Sequence, residues 1–132
     1  MRLWHQNLIS KLPRQQLLGQ HRECCALRGK GWGRKHSVVN YVFNNSSCKL
    51  VAYHYLIMNE MKRRGYKPNE IWYNVNWRGN ELGEELGWAA QAIVDLYVEK
   101  APLYGGTMIY TEHNDEYLQE CLDNLKSKGI EL

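Results

Sequence analysis

The chain has 132 residues, of which 44% are hydrophobic and 23% charged, and its formal net charge is +3. This length suits one domain with its own hydrophobic core, and the composition is that of a globular protein rather than a disordered one. Because the net charge is small, a strongly basic field is excluded, and any binding of nucleic acid must depend on a local basic patch.

Targeting signals and metal motifs are missing from the sequence. No apolar run approaches the roughly 18 residues of a membrane span, and Met1-Arg2 does not lead into the apolar stretch of a signal peptide. We therefore expect no membrane contact and a cytoplasmic location. The cysteines have neither C-x-x-C spacing nor a zinc-type pairing with histidine, so we expect reduced packing residues and no metal site. They are Cys24, Cys25, Cys48 and Cys121.

The first predicted helix follows an N-terminal arm, residues 1–12, which is apolar enough to pack on the body of the protein. Pro13 suits the first turn of a helix, and apolar residues then recur at helical spacing over residues 14–27. The same spacing places Gln20 and Glu23 together on a neighbouring strip. Glu23 is therefore predicted to face out of the core or into a cleft.

A basic, glycine-rich loop ends this helix. Three glycines alternate with other residues between Gly29 and His36, and such a segment holds neither a helix nor a strand without cost. Backbone N–H groups and cations can both approach an anion closely there, which favours phosphate contact, although a solvated basic turn explains the composition equally well. The candidate DNA-binding residues of this region are Arg28, Lys30, Trp32, Arg34, Lys35 and His36.

The clearest helix begins after the cap residues Asn44-Asn45-Ser46-Ser47 and ends at Lys62-Arg63-Arg64, before Gly65. Its apolar residues repeat every three or four positions. His54 lies on this apolar stripe and is predicted to be a hydrogen-bonded core histidine rather than a ligand. Periodicity does not decide whether the preceding Val38–Phe43 segment is a short strand or a buried helical turn.

Two further helices are predicted in the second half, after an irregular, tryptophan-rich passage. One runs from about Glu84 to Lys100, and the last one lies between Asn114 as its cap and Gly129 as its stop. The inward positions of the first of them are predicted to be Leu86, Ala89, Ala90, Ile93, Val94 and Tyr97. A turn at Tyr104-Gly105-Gly106 separates the two. The prediction is a mainly α, single compact domain.

Four stretches of the sequence, in this order and spacing, carry a resemblance. They are Met1-Arg2-Leu3-Trp4, Gln15-x-Leu17-Leu18-x-x-x-Arg22-Glu23, Gly33-Arg34-Lys35-His36 and Lys62-Arg63-Arg64-Gly65-Tyr66. Together they resemble the pyrimidine-dimer DNA glycosylase (endonuclease V) family. The likeness extends to about Asn69, so residues 1–132 are read as one domain with an arm, a glycosylase-like region and a divergent helical half, residues 70–132.

The resemblance implies an all-α DNA repair glycosylase with AP lyase activity, acting on double-stranded DNA at pyrimidine dimers or related base lesions. In that family the N-terminal α-amino group attacks the sugar C1′ and forms an imine with the deoxyribose. Here the amine would be that of Met1, with Arg2, Arg22 and Glu23 beside it and Gln15 on a phosphate. No cofactor is implied, and we expect a monomer.

Elementary chemistry agrees with this transfer. An α-amino group has an ordinary pKa of about 7.7 to 8.0, so a substantial fraction is neutral and nucleophilic near pH 7. Nearby arginines would disfavour the ammonium form further, and Glu23 could stabilise a positive sugar and then move protons. Taken alone, Arg22-Glu23 is an ordinary surface ion pair on a helix. Two alternatives therefore stay open: a non-catalytic nucleic-acid-binding module, and a protein-interaction domain that uses the Trp72–Trp77 passage.

Overall fold

The computed structural model describes residues 2–101 and 106–132, and it confirms the mainly α prediction. The α-helices within these ranges are α1 (Arg14–Arg28), α2 (Asn40–Phe43), α3 (Ser47–Arg63), α4 (Gln91–Lys100) and α5 (Asp115–Ser127). Two 3₁₀ helices, Gln6–Lys11 and Glu70–Tyr73, accompany them. β-pairing in the described part of the chain is limited to one isolated bridge, between Trp77 and Glu84.

Helix α3 is the centre of the core. Ser46 caps it, because the Ser46 side chain accepts a hydrogen bond from the Cys48 backbone N–H at 3.1 Å. Apolar residues on several sides of α3 are fully buried, among them Val51, Ile57 and Met58. Helices α1, α2 and α4 and the first 3₁₀ helix all pack on α3. The apolar spacing predicted this helix correctly, and burial of each large side chain stabilises the fold by roughly 1.5–3 kcal/mol.

The N-terminal arm packs on the body as predicted. Leu3, Trp4, Leu8, Ile9 and Leu12 are all buried. This burial extends the core from α3 to the beginning of the described chain, so the arm is an integral part of the domain. The Val38–Phe43 segment, which the sequence left open, contains the short helix α2.

The predicted start of α4 is wrong. The helix begins at Gln91 rather than near Glu84, and Leu86, predicted to face inward, is 80% exposed. Residues before the helix are held in turns instead, since Glu85 donates its backbone N–H to the Asn76 carbonyl at 2.9 Å. Gly87 has a φ of +85°, a left-handed conformation that interrupts a helix.

The inward face predicted for this region is also correct only in part. Ala89 and Val94 are buried, and Tyr97 is half-buried, as the periodicity indicated. Ala90 and Ile93 are exposed instead. Because the helix begins later than predicted, a single helical register does not describe residues 84–100.

The last helix follows the prediction closely. Asn114 Oδ1 accepts a hydrogen bond from the Tyr117 backbone N–H at 2.9 Å, which caps α5. Gly129 has a φ of +81° just beyond the helix end, where the left-handed conformation favours glycine. Cys121 and Leu125 are buried.

The four cysteines are free thiols, as predicted. The predicted turn at Tyr104-Gly105-Gly106 falls largely on residues outside the described ranges. Among the described helices, none combines the length and the apolar character needed to cross a membrane.

Burial of His113 makes the stability of the fold depend on pH. Its Nδ1 accepts a hydrogen bond from the Gln6 backbone N–H at 3.2 Å, and its Nε2 lies 2.8 Å from the Tyr41 hydroxyl. Burial lowers the pKa of His113 to about 3 from an ordinary 6.5. The unfolded chain therefore takes up this proton first as the pH falls.

This histidine should contribute its full stabilisation above pH 6.5 and lose about 1.4 kcal/mol for each pH unit as the pH falls from there towards 3. In His113→Asn the amide oxygen can replace Nδ1 as acceptor but does not titrate. Urea unfolding between pH 4 and 6.5 should therefore show a flatter pH dependence in this variant. His36→Asn, at an exposed position, is the control. An unchanged slope in His113→Asn would contradict the assignment.

Candidate active site

A cleft of about 240 Å³ lies where the N-terminal arm, α1 and α5 meet. Its lining combines one carboxylate, two cations and an aromatic ring. The lining residues are Arg2, Trp4, Glu23, Val38, Asn124 and Lys128. Glu23 is partly buried at this cleft, in agreement with the prediction that it faces out of the core or into a cleft.

The Glu23 carboxylate is tied to the beginning of the chain. The Arg2 backbone N–H donates to Glu23 Oε2 at 3.1 Å, and Gln20 Nε2 donates to the same oxygen at 3.1 Å. Glu23 Oε1 accepts no hydrogen bond from the described residues. One oxygen is thus fixed by two donors, and the other is available to a group in the cleft.

Gln20, on the same strip of α1 as Glu23, is buried, with 1% of its surface exposed. Its Nε2 also donates to the Arg2 carbonyl at 2.8 Å. Its Oε1 accepts from the Trp4 backbone N–H at 2.7 Å and lies 3.0 Å from the Tyr53 hydroxyl. Because the Trp4 N–H can only donate, the amide must be oriented with its oxygen towards Trp4.

Two tyrosines from other helices also hold the arm. The Tyr53 hydroxyl on α3 donates to the Trp4 carbonyl at 2.6 Å, and the Tyr117 hydroxyl on α5 donates to the Leu3 carbonyl at 2.6 Å. Burial raises the pKa values of both hydroxyls well above the ordinary value, so they remain protonated donors. The position of the arm beside Glu23 therefore depends on three helices.

The cations of the cleft lie around Trp4. The Arg2 guanidinium carbon is 5.6 Å from the centre of the Trp4 ring, and Lys128 Nζ is 5.4 Å from it. Arg2 Nη1 is 3.9 Å from Glu120 Oε1 and is buried without a hydrogen-bond partner among the described residues. Asn124 Oδ1 is buried without such a partner as well. The wall of the cleft thus contains a buried donor and a buried acceptor that the described residues leave unpaired.

The structure brings some of the predicted site residues together and separates others. Arg2 and Glu23 meet in the cleft, and Arg22 is exposed on α1. The predicted nucleophile, the α-amino group of Met1, lies outside the described residues. Asn124 and Lys128 were not predicted, since they come from α5, about 100 residues away in the chain, and no local pattern marks them.

The basic loop is exposed at Arg34, Lys35 and His36. Gly31 is required within it, because a Cβ there would lie 2.7 Å from the Ala26 carbonyl oxygen. Lys30 Nζ forms an ion pair with Glu81 at 2.8 Å. Gln15, on the first turn of α1, is exposed as well. These positions are accessible to a polyanion.

Two of the predicted DNA-binding residues are placed differently. Arg28 is completely buried and donates to the Trp72 and Asn74 carbonyls at 2.8 and 2.7 Å, so it cannot reach a phosphate. Trp32 packs edge-on against Phe43 and Trp88, with ring centroids 5.2 and 5.4 Å apart. It would have to leave this cluster to contact DNA with its ring face. The prediction for Arg28 is therefore wrong, and Trp32 has a packing role.

His21, Cys25 and His54 form a cluster whose ligand atoms lie within 4.8 Å of one another. Sequence inspection missed the pair at positions i and i+4, which places His21 and Cys25 on one face of α1. His54 Nε2 lies 2.8 Å from His21 Nδ1, and His54 Nδ1 lies 3.0 Å from Arg28 Nη1. His54 is thus the hydrogen-bonded core histidine that the sequence predicted.

The buried guanidinium decides what this cluster can bind. Arg28 can only donate, so His54 Nδ1 must accept and His54 Nε2 must carry the proton and donate to His21. The nitrogen that a metal would need is therefore protonated. Burial lowers the pKa of His54 and raises that of Cys25 to about 11, which leaves a neutral imidazole and a thiol. These three side chains suit a series of hydrogen bonds within the core and do not fit a metal ion.

Comparison with known proteins identifies the family. A family model described as pyrimidine dimer DNA glycosylase matches residues 1–74, more than half of the chain. Comparisons with curated proteins and with solved structures gave no match. The matched part contains Arg2, Gln20 and Glu23, whereas Asn124 and Lys128 lie beyond it. A glycosylase of this description acts on DNA. The chain belongs to the pyrimidine dimer DNA glycosylase family.

Proposed function

We propose that this protein is a DNA glycosylase with AP lyase activity that uses the α-amino group of its N-terminal residue, Met1, as the nucleophile. Its substrate is double-stranded DNA with pyrimidine dimers or related base lesions. Glu23 is the acid–base residue of the reaction, and Arg2 and Arg22 supply positive charge around the DNA backbone. The reaction needs no cofactor in this proposal, and a monomer carries it out.

The observation that carries the proposal is the hydrogen bond between the Arg2 backbone N–H and Glu23 Oε2, at 3.1 Å. Bond lengths limit the α-nitrogen of any residue to within about 4 Å of the next backbone nitrogen. An amine one residue before Arg2 is therefore kept within roughly 7 Å of this carboxylate by covalent geometry. That range includes direct and single-water contact with Glu23.

The reaction follows from these groups. The neutral amine donates its electron pair to the sugar C1′, and the electron pair of the glycosidic bond leaves with the base. Loss of a proton from nitrogen and opening of the C1′–O4′ bond give an imine, with O4′ taking up a proton. Glu23 can stabilise the positive sugar and then accept the C2′ proton. The electrons of that C–H bond form the C2′–C3′ double bond and expel the 3′ phosphate.

Binding to the DNA backbone is assigned to the exposed basic loop, together with Gln15, Lys30 and His36. Replacing Arg34 and Lys35 by glutamine should weaken binding to every DNA sequence. The logarithmic salt dependence of binding should flatten by about one unit for each phosphate that the variant no longer neutralises. The measurement is fluorescence anisotropy with an undamaged duplex over a series of salt concentrations.

A charge-matched control neutralises Lys11 and Lys67, which are exposed outside the loop. The control should retain the wild-type salt slope. Equal slopes for the loop variant and the wild type would make the loop a solvated turn.

The proposed function is tested by borohydride trapping. Wild-type protein is incubated with duplexes that contain a cyclobutane pyrimidine dimer, an abasic site or no lesion, and borohydride reduces any imine to a stable amine. Adducts are expected with the first two duplexes and not with the third. Absence of an adduct on both lesions would remove the lyase mechanism and favour a non-catalytic DNA-binding module.

A further inference from the structure

We infer that Gln20 is a positioning residue for this reaction, because its one amide holds both the N-terminal arm and the Glu23 carboxylate. The inference rests on the proposed function and extends it to a residue with no chemical step of its own. Gln20 lies one helical turn before Glu23 on α1, so the two side chains share a face.

Both ends of the amide are hydrogen-bonded, and both N–H groups are used. A glutamine side chain has two N–H donors and an oxygen that accepts two hydrogen bonds. The donors reach the Arg2 carbonyl at 2.8 Å and Glu23 Oε2 at 3.1 Å. The oxygen accepts from the Trp4 N–H at 2.7 Å and lies 3.0 Å from the Tyr53 hydroxyl, whose single proton is donated to the Trp4 carbonyl at 2.6 Å. These hydrogen bonds hold the buried amide in one orientation, and they hold the groups that it contacts in place as well.

The three hydrogen bonds of the amide end on groups that set the site. The bonds to the Arg2 carbonyl and the Trp4 N–H fix the backbone of the arm on either side of Leu3. The bond to Glu23 Oε2 fixes the carboxylate, with the Arg2 N–H on the same oxygen. Glu23 Oε1 is thereby left for the cleft. Gln20 therefore sets the distance between the arm at Arg2 and the reacting carboxylate.

Removal of this amide should lower the rate of the chemical step more than DNA binding, since DNA contacts the exposed surface and not the buried amide. In Gln20→Met a side chain of similar length makes none of these hydrogen bonds. We expect kcat to fall by about 10²-fold, the size of effect that a misplacement of about 1 Å produces. KM for damaged DNA should change by no more than about threefold, because uniform binding is retained.

Gln20→Glu separates the donors from the acceptors. Its carboxylate can still accept from the Trp4 N–H, but it cannot donate to Arg2 or Glu23. It also brings a second negative charge to the Glu23 oxygen that Gln20 now contacts. We expect kcat to fall at least as far as in Gln20→Met. Gln16→Glu, one turn earlier on α1, adds the same charge to the same helix and should retain wild-type kcat.

A purely structural role is excluded by a matched destabilised variant and by hydrogen exchange. Val94→Ala removes buried volume on α4, away from the cleft, and should lower the unfolding temperature without lowering kcat at 20 °C. In Gln20→Met, backbone N–H exchange at Arg2 and Trp4 should accelerate at least about tenfold, as expected for local opening. Exchange at Leu12, whose N–H donates to the Leu8 carbonyl at 3.0 Å, should stay as in the wild type.

Wild-type kcat in Gln20→Met, or unchanged exchange at Arg2 and Trp4, would overturn the inference. A reduction of kcat in Val94→Ala as large as in Gln20→Met would also overturn it, since loss of stability alone would then explain the lower kcat. If the wild-type protein neither cleaves nor traps damaged DNA, it is the proposed function that fails. Hydrogen exchange then still decides whether Gln20 positions the arm against Glu23.

Discussion

Glu23→Gln should cleave damaged DNA about 10²- to 10⁴-fold more slowly than the wild type, the range expected when an acid–base group is removed. The fold should persist, because the new amide retains an oxygen that can accept from the Arg2 N–H and from Gln20 Nε2. DNA binding should persist as well, since the exposed basic loop is unchanged. The measurement is nicking of ultraviolet-irradiated plasmid, with binding followed separately by anisotropy.

Glu120→Gln is the control for removal of a negative charge near the cleft. Glu120 Oε1 lies 3.9 Å from Arg2 Nη1, and its side chain is 63% exposed. An exposed pair of this kind contributes little, so this variant should cleave at a rate close to that of the wild type. Nicking by Glu23→Gln at the wild-type rate would remove Glu23 from the mechanism.

Blocking the α-amino group should abolish both imine trapping and strand cleavage. The reaction requires a primary amine with a free electron pair, and an acetyl group or an uncleaved N-terminal extension removes it. The circular dichroism of the helices should not change, because the modification removes one charge at the end of the arm. Protein carrying a protease-removable extension should be inactive before cleavage and active after complete restoration of Met1.

The alternative nucleophile for imine formation is the side-chain amine of Lys128. Lys128 lines the same cleft, with its Nζ 5.4 Å from the Trp4 ring. Trapping by the extended protein that disappears in Lys128→Met would assign the imine to this lysine. If protein with an acetylated N-terminus still formed the adduct and cleaved DNA, the proposed role of the α-amino group would be contradicted. This holds whichever residue then acts as the nucleophile.

The parts of the fold that the sequence predicted are those specified by local chemistry. Helix α3 and helix α5 begin at side-chain caps, Ser46 and Asn114, and their apolar residues repeat with the helical period. The resemblance to the family was also recognisable from the sequence. The four stretches that carry it all lie within residues 1–74, which the family model matches. The helical spacing of its neighbours predicted that Glu23 faces out of the core or into a cleft, and its carboxylate lies at a cleft.

The parts that were missed depend on partners distant in the chain. Gln20 and Arg28 are polar residues on α1, and their burial becomes favourable only through acceptors and donors on the arm, on α3 and in residues 72–74. The early start predicted for α4 failed for a related reason, since the turn contacts of Asn76 compete with the helix. Asn124 and Lys128 enter the cleft through packing of α5, which no spacing in the sequence announces.

The most direct measurement is the identity of the residue that carries the trapped sugar. Wild-type protein is reduced with borohydride on a duplex containing a pyrimidine dimer, digested with nuclease and protease, and analysed by tandem mass spectrometry. We predict that the reduced deoxyribose is attached to the α-nitrogen of Met1 and that every lysine side chain is unmodified. Attachment to Lys128 or to another lysine would contradict the proposed mechanism.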